Sequence, residues 1–411
     1  MFRTILVKEE QRPLQRILWR DSKSEPLKCI QLKTVTYGTK CAPYLACRTL
    51  RMLAGQHKEE YPEAGDIIES ECYMDDFLSG ADTFDQAQQV CSQLIEVLQK
   101  GNFVLHKWTT NEPQLLTNAV STNDDTVYDF TPSAAVKTLG VKWLPQSDAL
   151  TTAIPELQQF ELTKRNILSA IAKIYDSIGI LAPTVIIAKI LMQDIWKAKI
   201  DWDMVIPEDL QRTWLEFQAN LPELKNINVP RYYFSDIPTW ITLIGFSDAS
   251  AKAFGAVVYF RATYPHKEPT CSLVMAKTRV SPIRVQSLPR LELSGCLLLA
   301  HLVDKLRRAF KDKFKIHDIV LFTDSQIVLH WIKSPYKKLH TFVSHRLMEI
   351  IELTKSEMWN YVNTKENAAD LLTRGVYPQN LQSNSLWWNG PDWLLRDPST
   401  WPMANIITCD Y

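Results

Sequence analysis

The sequence predicts a multidomain fold of the α+β or mixed α/β class, and three observations support this. The 411 residues exceed one typical domain, since domains commonly hold about 100–200 residues. Strand-like runs alternate with helical patterns in the C-terminal half. Proline-rich or turn-rich segments separate these blocks. The strand-like runs are 241–248, 254–261, 270–277, 317–323 and 358–363, and the separating segments are 109–135, 221–238 and 376–402.

Helical spacing of apolar residues defines the elements that precede these strands. The pattern predicts a helix over 83–100, with Thr83 as its N-cap. A longer helical region is predicted over 163–199, with a break near Gly179 and Pro183. From residue 241, three strands feed alternating helices and strands. We therefore expect a mixed five-stranded sheet with flanking helices in a domain of about 135 residues.

Composition narrows the protein class without identifying a function. The chain is 46% hydrophobic and 22% charged, as in ordinary globular proteins. No run of about 18 apolar residues predicts a membrane helix, and the N-terminus lacks an apolar signal-peptide core. The eight cysteines form no C-x-x-C pair, so neither a zinc site nor a disulfide framework is supported. We expect an intracellular protein without a membrane partner, and both a cytoplasmic particle and the nucleus remain open.

The charge is unevenly distributed although the formal net charge is zero. Residues 231–411 carry 22 Lys and Arg against 16 Asp and Glu, a net charge of +6. A basic region suits a polyanionic partner, because neutralising phosphates releases counterions. An uneven solvated surface explains the same charge equally well.

Four acids lie where predicted strands end or helices begin. Each alone is more often a turn or cap residue. Together, in this order and on these elements, they resemble the D-E-D-D pattern of the ribonuclease H fold, which implies phosphodiester hydrolysis with two Mg²⁺ ions about 4 Å apart that activate water and neutralise the leaving oxygen. Mg²⁺ prefers oxygen ligands, and converging carboxylates repel one another unless cations are present. The four acids are Asp248, Glu292, Asp324 and Asp370.

The contexts of these acids, FSDAS, LPRLEL, TDSQIVLHWI and ENAADLLTRG, resemble the four motifs of retrotransposon ribonucleases H over about 241–375. The resemblance implies that the acids hold Mg²⁺, or Mn²⁺ in its place, and cut RNA in RNA–DNA hybrids. Many relatives carry a histidine in the loop before the last acid. Here that loop reads VNTKENAAD and has none, so slow turnover is expected. The basic stretches 305–315 and 333–338 either follow the hybrid's phosphates or are solvated surface.

A second motif lies in the N-terminal half. Tyr73-Met74-Asp75-Asp76 between apolar runs predicts a β-hairpin with carboxylates at its tip. Two segments resemble motifs of reverse transcriptases. The template-positioning helix is matched by TVTYGTKCAPYLACRTL, which contains Gly38, and the primer-grip hairpin is matched by GNFVLHKWTTN, which contains Trp108. KTLGVKW resembles the strand that follows. AKIYDSIGILAP is similar to the connecting segment of BEL/Pao-type LTR retrotransposon Pol polyproteins.

This resemblance implies a polymerase palm. Asp75 and Asp76 would be metal ligands, and Phe2, Gly38, Tyr73, Met74 and Trp108 would contact template-primer or nucleotide. In this family the first catalytic aspartate lies in D-I-x-K-M-F, and the chain begins at its Met-Phe. Phe2 would match the aromatic residue that screens the 2′-position of the incoming sugar. The aspartate of this motif would lie before Met1. Because the polymerase metals would lack that ligand, we expect no autonomous DNA synthesis.

The resemblance also implies a domain order. The predicted domains are 1–120, an N-terminally truncated palm; 121–237, a thumb or connection region; 238–376, a ribonuclease H-like domain; and 377–411, a Pro/Trp-rich linker toward an integrase. RNA–DNA hybrid, template-primer and other parts of the Pol polyprotein are the expected partners. Two alternatives remain open. One is a non-enzymatic transposon remnant or domesticated nucleic-acid-binding protein, and the other is a reading frame that starts at an internal Met.

Overall fold

The structure, a computed structural model, describes residues 1–115, 136–138, 141–152, 154, 159–334 and 339–402. The chain divides into two compact units, Met1–Thr138 and Leu139–Tyr411. Helices and strands occur in both units, so the predicted α+β, multidomain class is confirmed. In the described part of the chain, no helix combines the length and the apolarity needed to cross a bilayer.

Three helices build the first unit. Their apolar faces meet in one core, which includes Leu53, Ile68 and Val97. The Thr83 Oγ1 accepts a hydrogen bond from the Gln86 backbone N–H, so the predicted N-cap is confirmed. The helices are α1 (Ala42–His57), α2 (Pro62–Ser70) and α3 (Phe84–Lys100).

Short strands complete this unit. Two antiparallel hairpins form, and the second contains the Tyr73–Asp76 motif. The predicted primer-grip hairpin is wrong, because residues 103–110 adopt no strand in the structure. Lys107 adopts a positive φ in this segment, and Phe103 is buried. The strands are β1 (Arg16–Trp19), β2 (Lys28–Gln31), β3 (Cys72–Tyr73), β4 (Asp76–Phe77) and β5 (Val136–Thr138).

The second unit contains the predicted five-stranded mixed sheet. Its order is β11-β10-β9-β12-β13, in which the first three strands are antiparallel and β12 runs parallel to both β9 and β13. These strands are β9 (Trp240–Ala249), β10 (Ala253–Thr263), β11 (Thr270–Val280), β12 (Asp318–Thr323) and β13 (Trp359–Tyr361). A smaller antiparallel ladder comprises β6 (Val141–Leu144), β7 (Ala149–Thr152) and β8 (Asn228–Pro230).

Both faces of the large sheet are apolar and both are covered. Phe246 and Phe322 face one layer, whereas Leu243 and Leu321 face the other, as the two-residue period of strands requires. Three helices between residues 288 and 353 cover the second face. The segments before and after the sheet cover the first. The helices of this unit are α4 (Lys164–Ala172), α5 (Ala182–Lys197), α6 (Glu208–Asn220), α7 (Leu288–Phe310), α8 (Gln326–Lys333), α9 (Thr341–Leu353), α10 (Leu371–Arg374), α11 (Pro378–Leu381) and α12 (Ser385–Asn389).

The break predicted near Gly179 and Pro183 is present, since α4 ends at Ala172 and α5 begins at Ala182. The intervening loop joins the sheet edge, where the Ala276 N–H donates to the Ile178 carbonyl over 2.9 Å. A Cβ at Gly179 would lie 1.9 Å from the Ala276 carbonyl oxygen, so glycine is required there. Asp176 accepts hydrogen bonds from the N–H groups of Gly179 and Leu181.

Residues 377–402, which the sequence assigns to a linker, pack against the sheet. Trp387 and Leu394 are fully buried in the core. Tyr259 and Arg261 lie two residues apart on β10 and therefore share a face. The Tyr259 hydroxyl donates to the Trp387 carbonyl (2.8 Å), and the Arg261 guanidinium donates to the carbonyls of Leu394 (2.6 Å) and Arg396 (3.0 Å). The tail is thus part of the folded unit.

We predict that Tyr259→Phe lowers the free energy of unfolding by about 1–2 kcal/mol, because the buried Trp387 carbonyl loses its donor. Urea denaturation followed by tryptophan fluorescence measures this. Tyr233→Phe is the matched control, since the described structure contains no hydrogen bond of that hydroxyl, and its effect should stay below about 0.5 kcal/mol. Equal stability of the Tyr259→Phe variant and the wild type would contradict the anchoring role.

We also predict a pH-dependent effect of Asp176. Burial raises the pKa of this carboxyl to about 6 from an ordinary value of 3.8, although the neighbouring backbone N–H groups lower it. The folded state therefore holds the proton more tightly, and the stability that this provides is lost as pH rises through about 6. Relative to Asp176→Asn, the wild type should lose about 1 kcal/mol between pH 5 and pH 7.5. The exposed Asp201→Asn control should show no such trend, and an identical trend in both variants would refute the assignment.

Candidate functional site

The four acids predicted from the sequence line one cleft. Its volume is about 270 Å³, and Asp248, Glu292, Asp324 and Asp370 are all in its wall. The cleft lies at the end of the sheet where the C-termini of strands β9 and β12 are located. Strand pairing, helix packing and a short loop each bring one or more of the acids to this place.

The pairing of β9 with β12 positions two of them. The strands are parallel neighbours, with Phe322 opposite Phe246 and Thr323 opposite Ser247. The next residue of each strand is an acid. Asp324 and Asp248 therefore lie side by side at the C-terminal end of these two strands. The Asp248 side chain is buried, with an exposed fraction of 7%.

Glu292 enters the cleft from α7. The helix approaches β9 closely, because a Cβ at Gly295 would lie only 3.0 Å from the Asp248 carbonyl oxygen. The Ser325 hydroxyl donates a 2.6 Å hydrogen bond to Glu292 Oε2. Ser325 also caps α8 by accepting from the Val328 N–H. One hydroxyl thus joins α7 to the turn after β12.

Asp370 is held by the loop that follows β13. The fully buried Asn367 donates to the Ser247 carbonyl over 3.0 Å and accepts from the Ala369 N–H, which fixes the loop against β9. Asp370 directly precedes α10, as predicted, and forms a 2.7 Å ion pair with the Arg374 guanidinium.

Two threonine hydroxyls complete the hydrogen bonding, and sequence reasoning missed both. The Thr373 Oγ1 donates to Asp248 Oδ2 over 2.6 Å, and the Thr364 Oγ1 donates to Asp324 Oδ2 over 2.8 Å. Arg374, four residues after Asp370, was detectable from its helical spacing. Thr364 carried no such signal, because its partner is 40 residues away.

Burial and mutual repulsion shape the electrostatics of the cleft. The pKa of Asp248 is raised to about 6, chiefly by burial; the Thr373 hydrogen bond lowers it, and the charges of Asp324 and Asp370 add to the increase. Burial also raises the pKa of Glu292 and of Asp370, in both cases with a contribution from the charge of Asp324. The acids therefore share one electrostatic field that disfavours ionisation and would be relieved by a cation.

The donor chemistry of the cleft suits a hard divalent cation, since four carboxylates offer only oxygen ligands. Over the residues that the structure describes, however, no group of three or more His, Cys, Asp or Glu side chains is arranged to hold a metal ion. Three of the four carboxylates instead accept a hydrogen bond from a nearby hydroxyl, and Asp370 pairs with Arg374.

The predicted polymerase residues lie in the first unit. Tyr73 and Asp76 pair across the hairpin of β3 and β4, and Met74 adopts a positive φ at its tip. Asp75 and Asp76 are exposed. The Cys47 thiol of α1 lies 3.8 Å from the Met74 sulfur. The hairpin prediction is therefore confirmed in its geometry.

The remaining predicted palm residues lie on segments other than the Tyr73–Asp76 hairpin. Phe2 is partly buried in a short 3₁₀ turn, Gly38 adopts a φ of +87° in the turn before α1, and Trp108 is partly buried in the irregular segment 103–110. Within the described part of the chain, no hydrogen bond or ring contact joins any of the three to Asp75 or Asp76.

Comparison with known proteins supports the ribonuclease H-like assignment of part of the second unit. Residues 163–325 match the model of a family described as Pao retrotransposon-like RNaseH-like domain. The match includes Asp248, Glu292 and Asp324 and ends before Asp370. A search of curated proteins finds no match.

Two solved structures of a foamy viral protease-reverse transcriptase share the fold. One, in complex with double-stranded DNA, is 12% identical with a TM-score of 0.52, and the alignment covers 87% of this chain and 54% of that one. The other, in complex with an RNA/DNA hybrid, is 11% identical with a TM-score of 0.50, and the corresponding shares are 88% and 43%. This chain thus spans about half the length of those proteins, and at such identity the likeness shows the fold alone. The family match over 163–325 and the shared fold are both consistent with the resemblance of this chain to BEL/Pao-type retrotransposon Pol polyproteins.

Proposed function

We propose that this chain hydrolyses the RNA strand of RNA–DNA hybrids, with Asp248, Glu292, Asp324 and Asp370 as its catalytic carboxylates. The observation that carries the proposal is the convergence of all four acids on one cleft at one end of the sheet. The ribonuclease H-like family match over 163–325 supports the same reaction class.

The acids are proposed to hold Mg²⁺, or Mn²⁺ in its place. Asp248 and Asp324 are the central ligands, because they are adjacent at the ends of paired strands. When bound, a pair of such ions activates a water and neutralises the charge that develops on the leaving oxygen. Nearby cations also favour ionised carboxylates and so oppose the pKa increase that burial causes at Asp248.

The residues around the acids orient the carboxylates. Ser325 fixes one oxygen of Glu292, and Thr373 fixes one oxygen of Asp248, which leaves the second oxygen of each for a metal ion. Arg374 neutralises Asp370 in the absence of a metal ion and is itself largely exposed, so it can turn toward a phosphate. Selectivity for RNA would come from contacts to the 2′-hydroxyl.

The hairpin at Tyr73–Asp76 is proposed to be the remnant of a polymerase site. Asp75 and Asp76 would be its metal ligands, and Phe2, Gly38, Tyr73, Met74 and Trp108 would contact template-primer or nucleotide. Its exposed carboxylates and tight turn support this role. Other parts of the Pol polyprotein are the proposed protein partners.

We predict that the full chain cleaves the RNA strand of a hybrid in Mg²⁺, leaves 3′-hydroxyl and 5′-phosphate ends, and spares duplex DNA. Asp324→Asn should slow cleavage roughly 100-fold or more, about 2.7 kcal/mol, because a neutral amide replaces an anionic ligand. Single-turnover cleavage of a labelled hybrid measures the rate and avoids a limit from slow product release.

Asp318→Asn is the matched control for this experiment. Asp318 begins the strand that Asp324 follows, and it accepts a hydrogen bond from the Trp240 indole far from the cleft. Its variant should cleave at the wild-type rate. If wild-type protein binds the hybrid but does not cleave it even in single turnover, the enzyme proposal fails. A non-enzymatic remnant or domesticated nucleic-acid-binding protein then takes its place.

We further predict that the chain does not extend a primer on an RNA template in Mg²⁺ or Mn²⁺. The hairpin presents two exposed carboxylates, Asp75 and Asp76, whereas four acids converge on the proposed hydrolytic cleft. A gel-based primer-extension assay tests this. Robust extension that is abolished by Asp75→Asn would show that the palm is active.

A further inference from the structure

A second concave site lies beside the cleavage cleft. It has a volume of about 360 Å³ and is formed between the loop after β13 and the C-terminal tail. Lys365 and Glu366 line the loop side, whereas Asp392, Trp393 and Arg396 line the tail side. None of the roles proposed above uses this pocket.

The walls of the pocket are held in place by buried contacts. On the loop side, Asn363 accepts a hydrogen bond from the Lys365 N–H, and the buried Asn367 anchors the loop to β9. On the tail side, Arg261 of β10 donates to the carbonyls of Leu394 and Arg396. The pocket is therefore preformed and does not depend on a freely moving tail.

The pocket and the cleavage cleft share one loop. Thr364 donates to the Asp324 carboxylate in the cleft, and the next two residues, Lys365 and Glu366, line the pocket. Because Thr364 and Lys365 are consecutive residues, a strand bound beside Asp324 can extend toward the pocket.

The lining groups match the functional groups of a ribonucleotide. In the described part of the chain, neither Lys365 nor Arg396 forms an ion pair, so both cations are available for phosphate oxygens. Glu366 and Asp392 supply carboxylate acceptors, which suit sugar hydroxyls and repel bare phosphate. Trp393 is 6% exposed, and its indole N–H has no acceptor among the described residues.

We propose that this pocket binds one ribonucleotide unit of the RNA strand adjacent to the cleavage cleft. Lys365 and Arg396 contact its phosphates, and the carboxylates of Glu366 and Asp392 accept hydrogen bonds from its ribose hydroxyls. Deoxyribose lacks the 2′-hydroxyl, so the pocket favours RNA over DNA. The inference extends the proposed function by naming a site, separate from the four acids, that selects the RNA strand.

Binding to the full chain in EDTA tests the pocket without any cleavage. Fluorescence anisotropy is measured with a labelled RNA–DNA hybrid and with duplex DNA of the same sequence over a range of salt concentrations. Lys365→Ala and Arg396→Ala should each weaken hybrid binding severalfold. Each should also reduce the slope of log Kd against log salt by about 0.7–0.9, the value of one lost phosphate contact. Lys365→Arg, which keeps the charge, should retain the wild-type slope.

Glu366→Ala, which removes the acceptor oxygens, should reduce the preference for hybrid over duplex DNA and leave the salt slope unchanged, because a carboxylate does not contact phosphate. Lys355→Ala is the matched control, since Lys355 is an exposed lysine that precedes β13, whereas Lys365 follows it. It should bind as the wild type does. Circular dichroism melting confirms that each variant is folded.

Two results would overturn the proposal. Unchanged salt slopes in both cation variants would exclude phosphate contacts, and an unchanged hybrid preference in Glu366→Ala would exclude ribose recognition. Since no step requires hydrolysis, failure of cleavage and failure of this pocket are separate outcomes.

Discussion

The parallel pairing of β9 with β12 is the interaction on which the rest of the site depends. It brings Asp248 and Asp324 to the same end of the sheet. Parallel neighbouring strands also require a crossover connection, and here that connection contains α7, which carries Glu292. β13 then pairs with β12 in parallel, so the loop that leads to Asp370 emerges at the same end. The carboxylate cluster is thus a consequence of strand order.

This cluster opposes folding, because closely placed and partly buried carboxylates disfavour one another's ionisation. The structure offsets that cost with donors from several elements: hydroxyls from Ser325, Thr364 and Thr373, and the guanidinium of Arg374. The apolar sheet beneath must also be covered on both faces. The covering of one face by α4–α6 and the C-terminal tail explains why Tyr259 and Arg261 donate to tail carbonyls, and why the tail forms a pocket wall.

Features with a local sequence signature were predictable. Asp248 and Asp324 follow apolar runs of period two, and the Thr83 cap precedes an amphipathic helix. The threonine partners were not predictable, because Thr373 and Asp248 lie 125 residues apart. The tail has no helical or strand period, so its tryptophans gave no indication of where they pack. The primer-grip prediction failed because it rested on a resemblance in sequence, which does not show whether residues 103–110 pair as strands.

The four acids are proposed to hold divalent cations together. Electron paramagnetic resonance during Mn²⁺ titration tests this proposal most directly, in a chain with Asp75→Asn and Asp76→Asn so that the hairpin carboxylates do not contribute. We expect saturable binding in the presence of hybrid and EDTA-reversible release, with loss of that binding when Asp324→Asn is added. Equal Mn²⁺ binding with and without Asp324→Asn, or no saturable binding at all, would contradict the proposal.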